Sequence, residues 1–266
     1  MPPVRKGDGT PVEPKGVSQI RTGDGRILFD GPAIPDSVIH HYDPINFTTS
    51  QWPDEVGTSD MDAISGLSED SSAFDDNGGV SADGTDHGLT DTMGDFGQNR
   101  DTDFAISVPF NTTDNDAMLL GHDEDGVAAR TLELGVGISF HGASDGELGF
   151  RLRDSDGNTL AEYTDGSTFN DGSDYHLLLN KVSNSAGGIE FYVNDMDNEV
   201  ASSNDADGGF GNATVQNFDG SMGYFCRSLS GDAEIQIAAT KGNIRWFNDS
   251  LNQSQRQAVH DSLPWT

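Results

Sequence analysis

Apolar residues alternate with polar or small ones in short runs across the second half of the chain. Phe104–Phe110 and Glu147–Arg153 are two such runs, and segments rich in Gly, Asp or Asn separate them from their neighbours. A period of two sends successive side chains to opposite faces of a β-strand, as in half-buried antiparallel strands. The same pattern recurs in segments 131–140, 159–163, 175–182, 188–194, 222–226 and 233–239. The spacing predicts an all-β chain folded as a two-sheet antiparallel sandwich or jelly roll.

A single segment favours a helix. Ser250, with Gln253 three residues later, matches a capping box, and Leu251 and Val259 fall on one side of the helix that would follow. Pro264 would end it. We therefore expect one short C-terminal helix beside the strands.

The chain carries 45 acidic and 14 basic residues among 266, a formal net charge of −31. Such dense like charge opposes compaction, and concentrated salt relieves the repulsion because the Debye length falls to roughly 3 Å at 1 M. We therefore expect a protein suited to high salt. High net charge also suits intrinsic disorder, but 14 Phe, 5 Tyr and 3 Trp supply a core. The negative sign excludes nucleic acid as a partner, because phosphate binding needs Lys and Arg.

The charge is unevenly distributed along the chain. Residues 1–26 hold five basic and three acidic residues, whereas residues 27–99 hold 15 acidic residues and no Lys or Arg. Four Pro and five Gly make the first segment an extended peptide or loop rather than a helix. We expect residues 1–29 to form an extended arm and residues 30–266 the sandwich. The arm is either a frayed tail or an assembly anchor built on Arg5, Lys6, Lys15, Arg21 and Arg26.

The first residues lack the apolar core of a signal peptide, and no run of 18 apolar residues occurs. The expectation is a protein made in the cytoplasm, without membrane insertion. Its one cysteine, Cys226, excludes an intramolecular disulfide and is expected to lie buried in a strand.

Tyr175–Lys181, followed after a turn by Gly187–Asp195, forms a pair of strand patterns, and Gly242–Arg256 reads as a strand followed by a short helix. These segments resemble the paired central strands, the closing strand and the short helix of laminin-G-like, concanavalin-A-like lectin domains. The opening segment Ala33–Asp43 is similar to the first strand of such modules in tail proteins of bacterial and archaeal viruses. The resemblance covers the chain beyond the arm. It implies a twisted two-sheet sandwich that is often used to hold glycans or protein partners and sometimes binds Ca²⁺.

Catalytic residues are not predicted. Polysaccharide-cleaving relatives of this fold carry two Glu on one face of a strand, because retaining hydrolysis needs an acid and a nucleophile about 5 Å apart. The matching strand here offers only Glu234, and Glu190 is alone on its own strand. No Gly-x-Ser-x-Gly elbow, phosphate-binding loop or zinc-type His/Cys spacing occurs. The adjacent His40 and His41 are expected to face opposite sides of a strand, one outward and one inward.

Binding residues are predicted at two kinds of position. Trp52, in the loop Ser-Gln-Trp-Pro-Asp, is the surface candidate for stacking on a sugar, whereas Trp246 is expected in the core. Three segments have the pattern Asp-x-Asp-Gly (Asp-Glu-Asp-Gly in one case), which sets two carboxylates beside a Gly. Such a segment is either a calcium-binding loop or a plain hairpin turn. None of the three continues as a complete calcium loop. The calcium candidates are Asp123, Asp125, Asp154, Asp156, Asp205 and Asp207. No cofactor is required, and Ca²⁺ is an optional ligand.

The resemblance and the charge together predict a non-enzymatic structural protein of a haloarchaeal tailed-virus particle. The arm would dock it to other virion proteins, and the lectin-like sandwich would contact host-surface glycans or glycoproteins. Homo-oligomeric copies are expected because symmetric display raises avidity by about 10² to 10⁴. Three alternatives stay open: a cellular haloarchaeal carbohydrate-binding protein, a glycan hydrolase, or an architectural virion protein that binds no sugar.

Overall fold

A computed structural model describes most of the sandwich. The described residues are 19–21, 27–30, 34–43, 46, 51–64, 68–69, 80–81, 87–90, 102–123, 130–137, 143–153, 158–185, 187–206, 222–224, 239–240 and 243–263. Every strand pair within them is antiparallel.

Strands dominate the described part of the chain, as the alternation predicts. In chain order they are β1 (Gln19–Arg21), β2 (Ile27–Asp30), β3 (Val38–Tyr42), β4 (Gln51–Trp52), β5 (Met61–Ile64), β6 (Ser68–Glu69), β7 (Val80–Ser81), β8 (His87–Thr90), β9 (Phe104–Phe110), β10 (Ala117–Asp123), β11 (Arg130–Val136), β12 (Glu147–Arg153), β13 (Thr159–Thr168), β14 (Tyr175–Lys181), β15 (Ile189–Val193), β16 (Ser202–Ala206), β17 (Met222–Tyr224), β18 (Ala239–Thr240) and β19 (Ile244–Phe247). The helix is α1 (Gln253–Asp261).

Two large sheets form the sandwich. The nine-stranded sheet has the order β16-β13-β12-β11-β10-β17-β8-β5-β4, and the five-stranded sheet has the order β15-β14-β9-β19-β3. The predicted hairpins β12–β13 and β14–β15 are both present. The predicted all-β class and two-sheet antiparallel architecture are confirmed.

The main core lies between the two sheets. Ile106 and Val108 of β9 belong to one buried cluster with Leu134 and Phe150 of the nine-stranded sheet. Trp246, predicted in the core, is fully buried there. Alternate residues of each strand supply this cluster, which is why the period-two pattern was visible in the sequence.

A second, smaller core lies on the outer face of the five-stranded sheet, under α1. Leu178 and Phe247 face outward from the sheet and pack in one cluster with Leu251 and Val259. Because α1 covers this face, all seven residues of the central strand β9 are buried. No helix among the described residues has the length and apolarity needed to cross a bilayer.

The helix begins two residues later than the sequence predicted. Its capping box joins Asn252, whose side chain accepts from the amide of Gln255 at 3.1 Å, and Gln255, whose side chain accepts from the amide of Asn252 at 3.0 Å. The Ser250–Gln253 capping box is therefore wrong. The reason is Leu251, whose amide and carbonyl are both bonded to the side chain of Asn180 at 2.8 and 2.9 Å, outside the helix.

The described part of the N-terminal arm consists of strand. β1 and β2 form a two-stranded sheet with Gln19 opposite Asp30, and β2 runs through the predicted boundary at residue 29. The division into arm and sandwich stays a prediction.

Candidate functional site

Trp52, the predicted sugar-stacking residue, has no exposed surface. Its indole N–H donates to the carbonyl of Asp43 at 2.9 Å, and its ring packs edge-on against Tyr42 with centroids 5.9 Å apart. The predicted surface position is wrong, because the short strand β4 pairs with β5 and turns the indole into the main core. Trp52 cannot stack on a sugar from there.

The other predicted site residues fall where side chains are not described. Outside the described residues lie Arg5, Lys6, Lys15, Arg26, Asp125, Asp154, Asp156 and Asp207, together with Cys226 and Glu234. Arg21, Asp123 and Asp205 are placed in β1, β10 and β16 by their backbone alone. The assembly anchor, the calcium sites and the buried thiol therefore stay predictions.

His40 and His41 do lie on opposite faces of β3, but both are buried. The His40 imidazole contacts the buried carboxylate of Asp54, with Nδ1 and Oδ2 2.6 Å apart. On the other face, His41 Nδ1 lies 3.5 Å from Glu55 Oε2. The predicted outward-facing histidine is wrong, because the segment that follows β4 folds back over the end of β3.

Asp54 is the residue that holds this segment in place. Its Oδ1 accepts from the amides of His41, Val56 and Gly57 at 3.0, 3.1 and 3.0 Å. Burial raises the pKa of Asp54, but the hydrogen bonds from His40 and from the His41 and Gly57 amides outweigh burial and lower it overall. A Cβ at Gly57 would collide with the Asp54 carboxylate and the His40 ring. This position therefore requires glycine.

Three potential metal ligands, here called the His41 cluster, converge beside this segment: His41, Asp43 and Glu55. One ring nitrogen and one oxygen from each carboxylate all lie within 4.8 Å of one another. The His41 side chain is buried, whereas that of Glu55 is 20% exposed. Asn46 donates to the second oxygen of Glu55. Sequence reasoning missed the cluster because neither acid stands out among 45 acidic residues and the fold alone brings Glu55 to His41.

Polar side chains also gather at one end of the sandwich, where loops 111–116, 143–146 and 169–174 meet; this set is called the polar loop end. Asn111 Nδ2 donates to Asp174 Oδ1 at 2.7 Å, and Asn170 Nδ2 donates to Asn115 Oδ1 at 2.9 Å. Asp171 is exposed, and its Oδ1 accepts from the hydroxyl of Tyr175 at 3.0 Å. The three loops thus present amide and carboxylate groups side by side.

Two glycines and an aromatic contact shape the polar loop end. Gly146 and Gly172 have φ values of 81° and 80°, and a Cβ at Gly146 would collide with the Asn170 side chain. Beneath the loops, the half-buried ring of Tyr175 packs against Phe169 with centroids 5.3 Å apart. Burial, and then the neighbouring Asp171, raises the pKa of Tyr175, so its hydroxyl stays protonated.

Ser107, His176 and His260 form a hydrogen-bonded chain on the outer face of the five-stranded sheet. Ser107 Oγ lies 2.8 Å from His176 Nε2, and His176 Nδ1 lies 2.8 Å from His260 Nδ1. A nucleophile, a base and an orienting group follow the same order in hydrolases. Ser107 and His176 are fully buried, however, and burial, then His260 and Arg245, lower the pKa of His176. The hydroxyl cannot reach a substrate, so this chain joins α1 to the sheet.

Glu190, the lone acid of β15, also belongs to the contact between sheet and helix. Its carboxylate accepts from Asn180 Nδ2 at 3.2 Å and from the hydroxyl of Tyr192 at 3.0 Å. Burial, and then Glu190, raises the pKa of Tyr192 to about 12. The guanidinium of Arg256 in α1 covers the Tyr192 ring at 3.8 Å. These contacts give Glu190 a structural role.

No protein-family model and no curated protein sequence matches this chain. Solved structures do match. The ligand binding domain of botulinum neurotoxin serotype D in complex with N-acetylneuraminic acid has a TM-score of 0.60 at 12% identity, over 86% of this chain and 51% of that chain. The binding domain of botulinum neurotoxin DC in complex with rat synaptotagmin II has a TM-score of 0.60 at 10% identity, over 88% and 53%. Trypanosoma rangeli sialidase has a TM-score of 0.56 at 13% identity, over 87% and 34%.

The chain thus spans about half the length of the two toxin domains and about a third of the sialidase. Identities this low show a shared fold and nothing more. The two-sheet antiparallel sandwich expected from the sequence agrees with these neighbours.

Proposed function

We propose that this protein is a non-catalytic binding module for glycans or glycoproteins, displayed on a haloarchaeal tailed-virus particle for attachment to the host surface. The polar loop end is the proposed contact surface. It replaces Trp52, whose indole is buried.

The observation that carries the proposal is the hydrogen-bonded array of Asn, Asp and Tyr side chains at the polar loop end. Sugar hydroxyls both donate and accept, and the amide of Asn115 and the carboxylate of Asp171 offer both functions at an exposed surface. The half-buried Tyr175 ring adds an amphipathic face beside them. Because glycine-dependent turns already order these loops, binding costs little further conformational entropy.

The fold supports a binding role. Two neighbours are binding domains, one solved with N-acetylneuraminic acid and one with synaptotagmin II. The sialidase neighbour favours glycans as the ligand class and keeps hydrolysis as the alternative to test.

The virion setting rests on the sequence. Ala33–Asp43 resembles the first strand of viral tail modules, and the net charge of −31 suits a high-salt host. In this proposal the basic residues of the arm dock the sandwich to acidic neighbours in the particle. Repeated copies would supply the avidity that a single weak site lacks.

The test is glycan-array binding by the full-length protein in molar salt, with Asp171→Ala and Asn115→Ala as site variants. Each removes a group that can bond a sugar hydroxyl, and a charged hydrogen bond contributes about 1.5–3 kcal/mol, so affinity should fall about tenfold or more for Asp171→Ala. Asp249→Ala is the matched control. Asp249 is also exposed but follows β19, at the opposite end of the sandwich.

Two results would contradict the proposal. Absence of glycan binding by the assembled protein would favour a purely architectural role, and release of free sugar would indicate a hydrolase. The arm is tested separately by deleting residues 1–26. A truncated protein that folds but no longer joins its assembly supports the anchor, whereas normal incorporation makes the arm a frayed tail.

A further inference from the structure

We propose that the His41 cluster binds one divalent transition-metal ion of the Zn²⁺ class. The site goes beyond the proposed glycan binding and is separate from the Asp-x-Asp-Gly segments predicted to hold Ca²⁺. Its ligands are the imidazole of His41 and the carboxylates of Asp43 and Glu55.

The donor set selects the kind of metal. Ca²⁺ takes six to eight oxygen ligands, whereas imidazole nitrogen combined with carboxylate oxygen suits Zn²⁺ and its neighbours in the transition series. Zinc ligands bind at about 2.0–2.2 Å, so any two of them lie within about 4.4 Å of each other. The three donor atoms of the cluster already lie within 4.8 Å. The His41 and Glu55 donors, 3.5 Å apart, already meet this limit, and a side-chain shift of a few tenths of an ångström would bring all three donors within it.

The backbone on both sides of the cluster is fixed before any metal binds. The Glu55 amide donates to the His41 carbonyl at 2.9 Å, and the indole of Trp52 donates to the Asp43 carbonyl at 2.9 Å. Asp54, one residue before Glu55, accepts from the His41 amide at 3.0 Å. The two segments that carry the ligands are thus bonded to each other. This order lowers the entropic cost of bringing the ligands of the two segments together.

The side-chain environment also favours a bound cation. Two carboxylates share a small space, and Asn46 fixes one oxygen of Glu55 and leaves the other directed at His41. A divalent ion would neutralise both carboxylates and replace the long His41–Glu55 contact of 3.5 Å with direct ligation. The Glu55 side chain is 20% exposed, so water would reach a bound ion from that side, as in open zinc sites.

Equilibrium dialysis of the metal-stripped full-length protein against Zn²⁺, Mn²⁺ and Ca²⁺ in molar KCl tests the proposal. High salt matters because a surface of this charge collects divalent ions without specific ligands. We expect one tight Zn²⁺ equivalent, bound at least tenfold more tightly than Ca²⁺. Asp43→Asn and Glu55→Gln should each weaken Zn²⁺ binding about tenfold or more. Asp249→Asn, a matched change at an exposed acid outside the cluster, should leave it unchanged.

Co²⁺ supplies a readout that does not depend on the variants. The wild-type protein should give the visible absorption of four- or five-coordinate Co²⁺, displaced by one equivalent of Zn²⁺. Zn²⁺ binding that survives Asp43→Asn with Glu55→Gln, equal affinity for Ca²⁺, or Co²⁺ absorption identical to that of the aqueous ion would each overturn the proposal. Glycan binding is measured independently, so failure of the metal site leaves the proposed function standing.

Discussion

Glu162 shows how one buried carboxylate can set the pH response of the sandwich. It lies on the inner face of β13, opposite Phe150, and its side chain is fully buried. Its Oε1 accepts from the amide of Ile189 at 3.4 Å, at the turn between β14 and β15. Burial raises the pKa of Glu162 to about 7, although hydrogen bonds from the backbone amides at this turn lower it in part.

Replacing Glu162 with Gln should stabilise the protein above neutral pH. The raised pKa means that the folded state prefers the protonated carboxyl; its contribution to stability is present below the unfolded pKa of 4.5 and is lost as pH rises through about 7. Gln keeps the acceptor oxygen without the charge. The difference in unfolding free energy between Glu162→Gln and the wild type should be roughly 1–3 kcal/mol more favourable to the variant at pH 8 than at pH 5.

Denaturant unfolding of both proteins in molar KCl at pH 5, 6, 7 and 8 measures this difference. Glu190→Gln is the comparison, because Glu190 is a strand acid on the opposite, helix-facing side of the five-stranded sheet. A stability difference between wild type and Glu162→Gln that does not change with pH would show that Glu162 is ionised in the folded protein throughout this range.

At the scale of elements, the sequence predicted where strands occur better than it predicted where each strand ends. Phe104–Phe110 and Glu147–Arg153 match β9 and β12 residue for residue, because one face of each enters the main core and imposes the alternation. The strand predicted at 159–163 continues to Thr168, since pairing with β12 extends it beyond its apolar residues. Backbone pairing beyond the last apolar residue of a strand has no apolar signature.

The binding residues were less predictable because they depend on contacts between distant segments. Trp52 looked exposed beside Pro53 and Asp54, yet pairing of β4 with β5 buries it. The polar loop end joins three loops that are separated in sequence, and each uses Asn, Asp and Gly as any surface loop does. Only the fold distinguishes Asp171 or Glu55 from the other acids.

The start of α1 offers a direct test of the corrected cap. Asn252→Ala removes the acceptor for the Gln255 amide and should cost about 0.5–2 kcal/mol of unfolding free energy. Ser250→Ala is the matched control at the position that the sequence favoured. Within the described part of the chain its hydroxyl contacts Asp103 at a long 3.5 Å, so the cost should be a few tenths of a kcal/mol. Thermal or denaturant unfolding compares the two; equal losses would contradict the cap at Asn252.

For the whole molecule, the distribution of basic residues matters more than the net charge alone. Arg151, Lys181, Arg245 and Arg256 are all buried, and Arg151 pairs with buried Glu133 at 2.5 Å. Among the side chains that the structure describes, no Lys or Arg is exposed. Because none of these described basic side chains is exposed, dissolved cations must screen much of the repulsion among the exposed acids.

Salt should therefore stabilise this protein strongly. We expect the unfolding midpoint to rise steeply as KCl increases towards molar concentrations, because the Debye length falls from about 10 Å at 0.1 M to 3 Å at 1 M. Sucrose strengthens burial without screening charge and should not replace KCl. Asp36, Asp145 and Asp249 are exposed, and changing all three to Asn should lower the KCl needed for a given midpoint.

If the midpoint followed sucrose as closely as KCl, or if the triple variant kept the wild-type salt dependence, charge screening would not govern stability. The acidic surface would then say nothing about where the protein works.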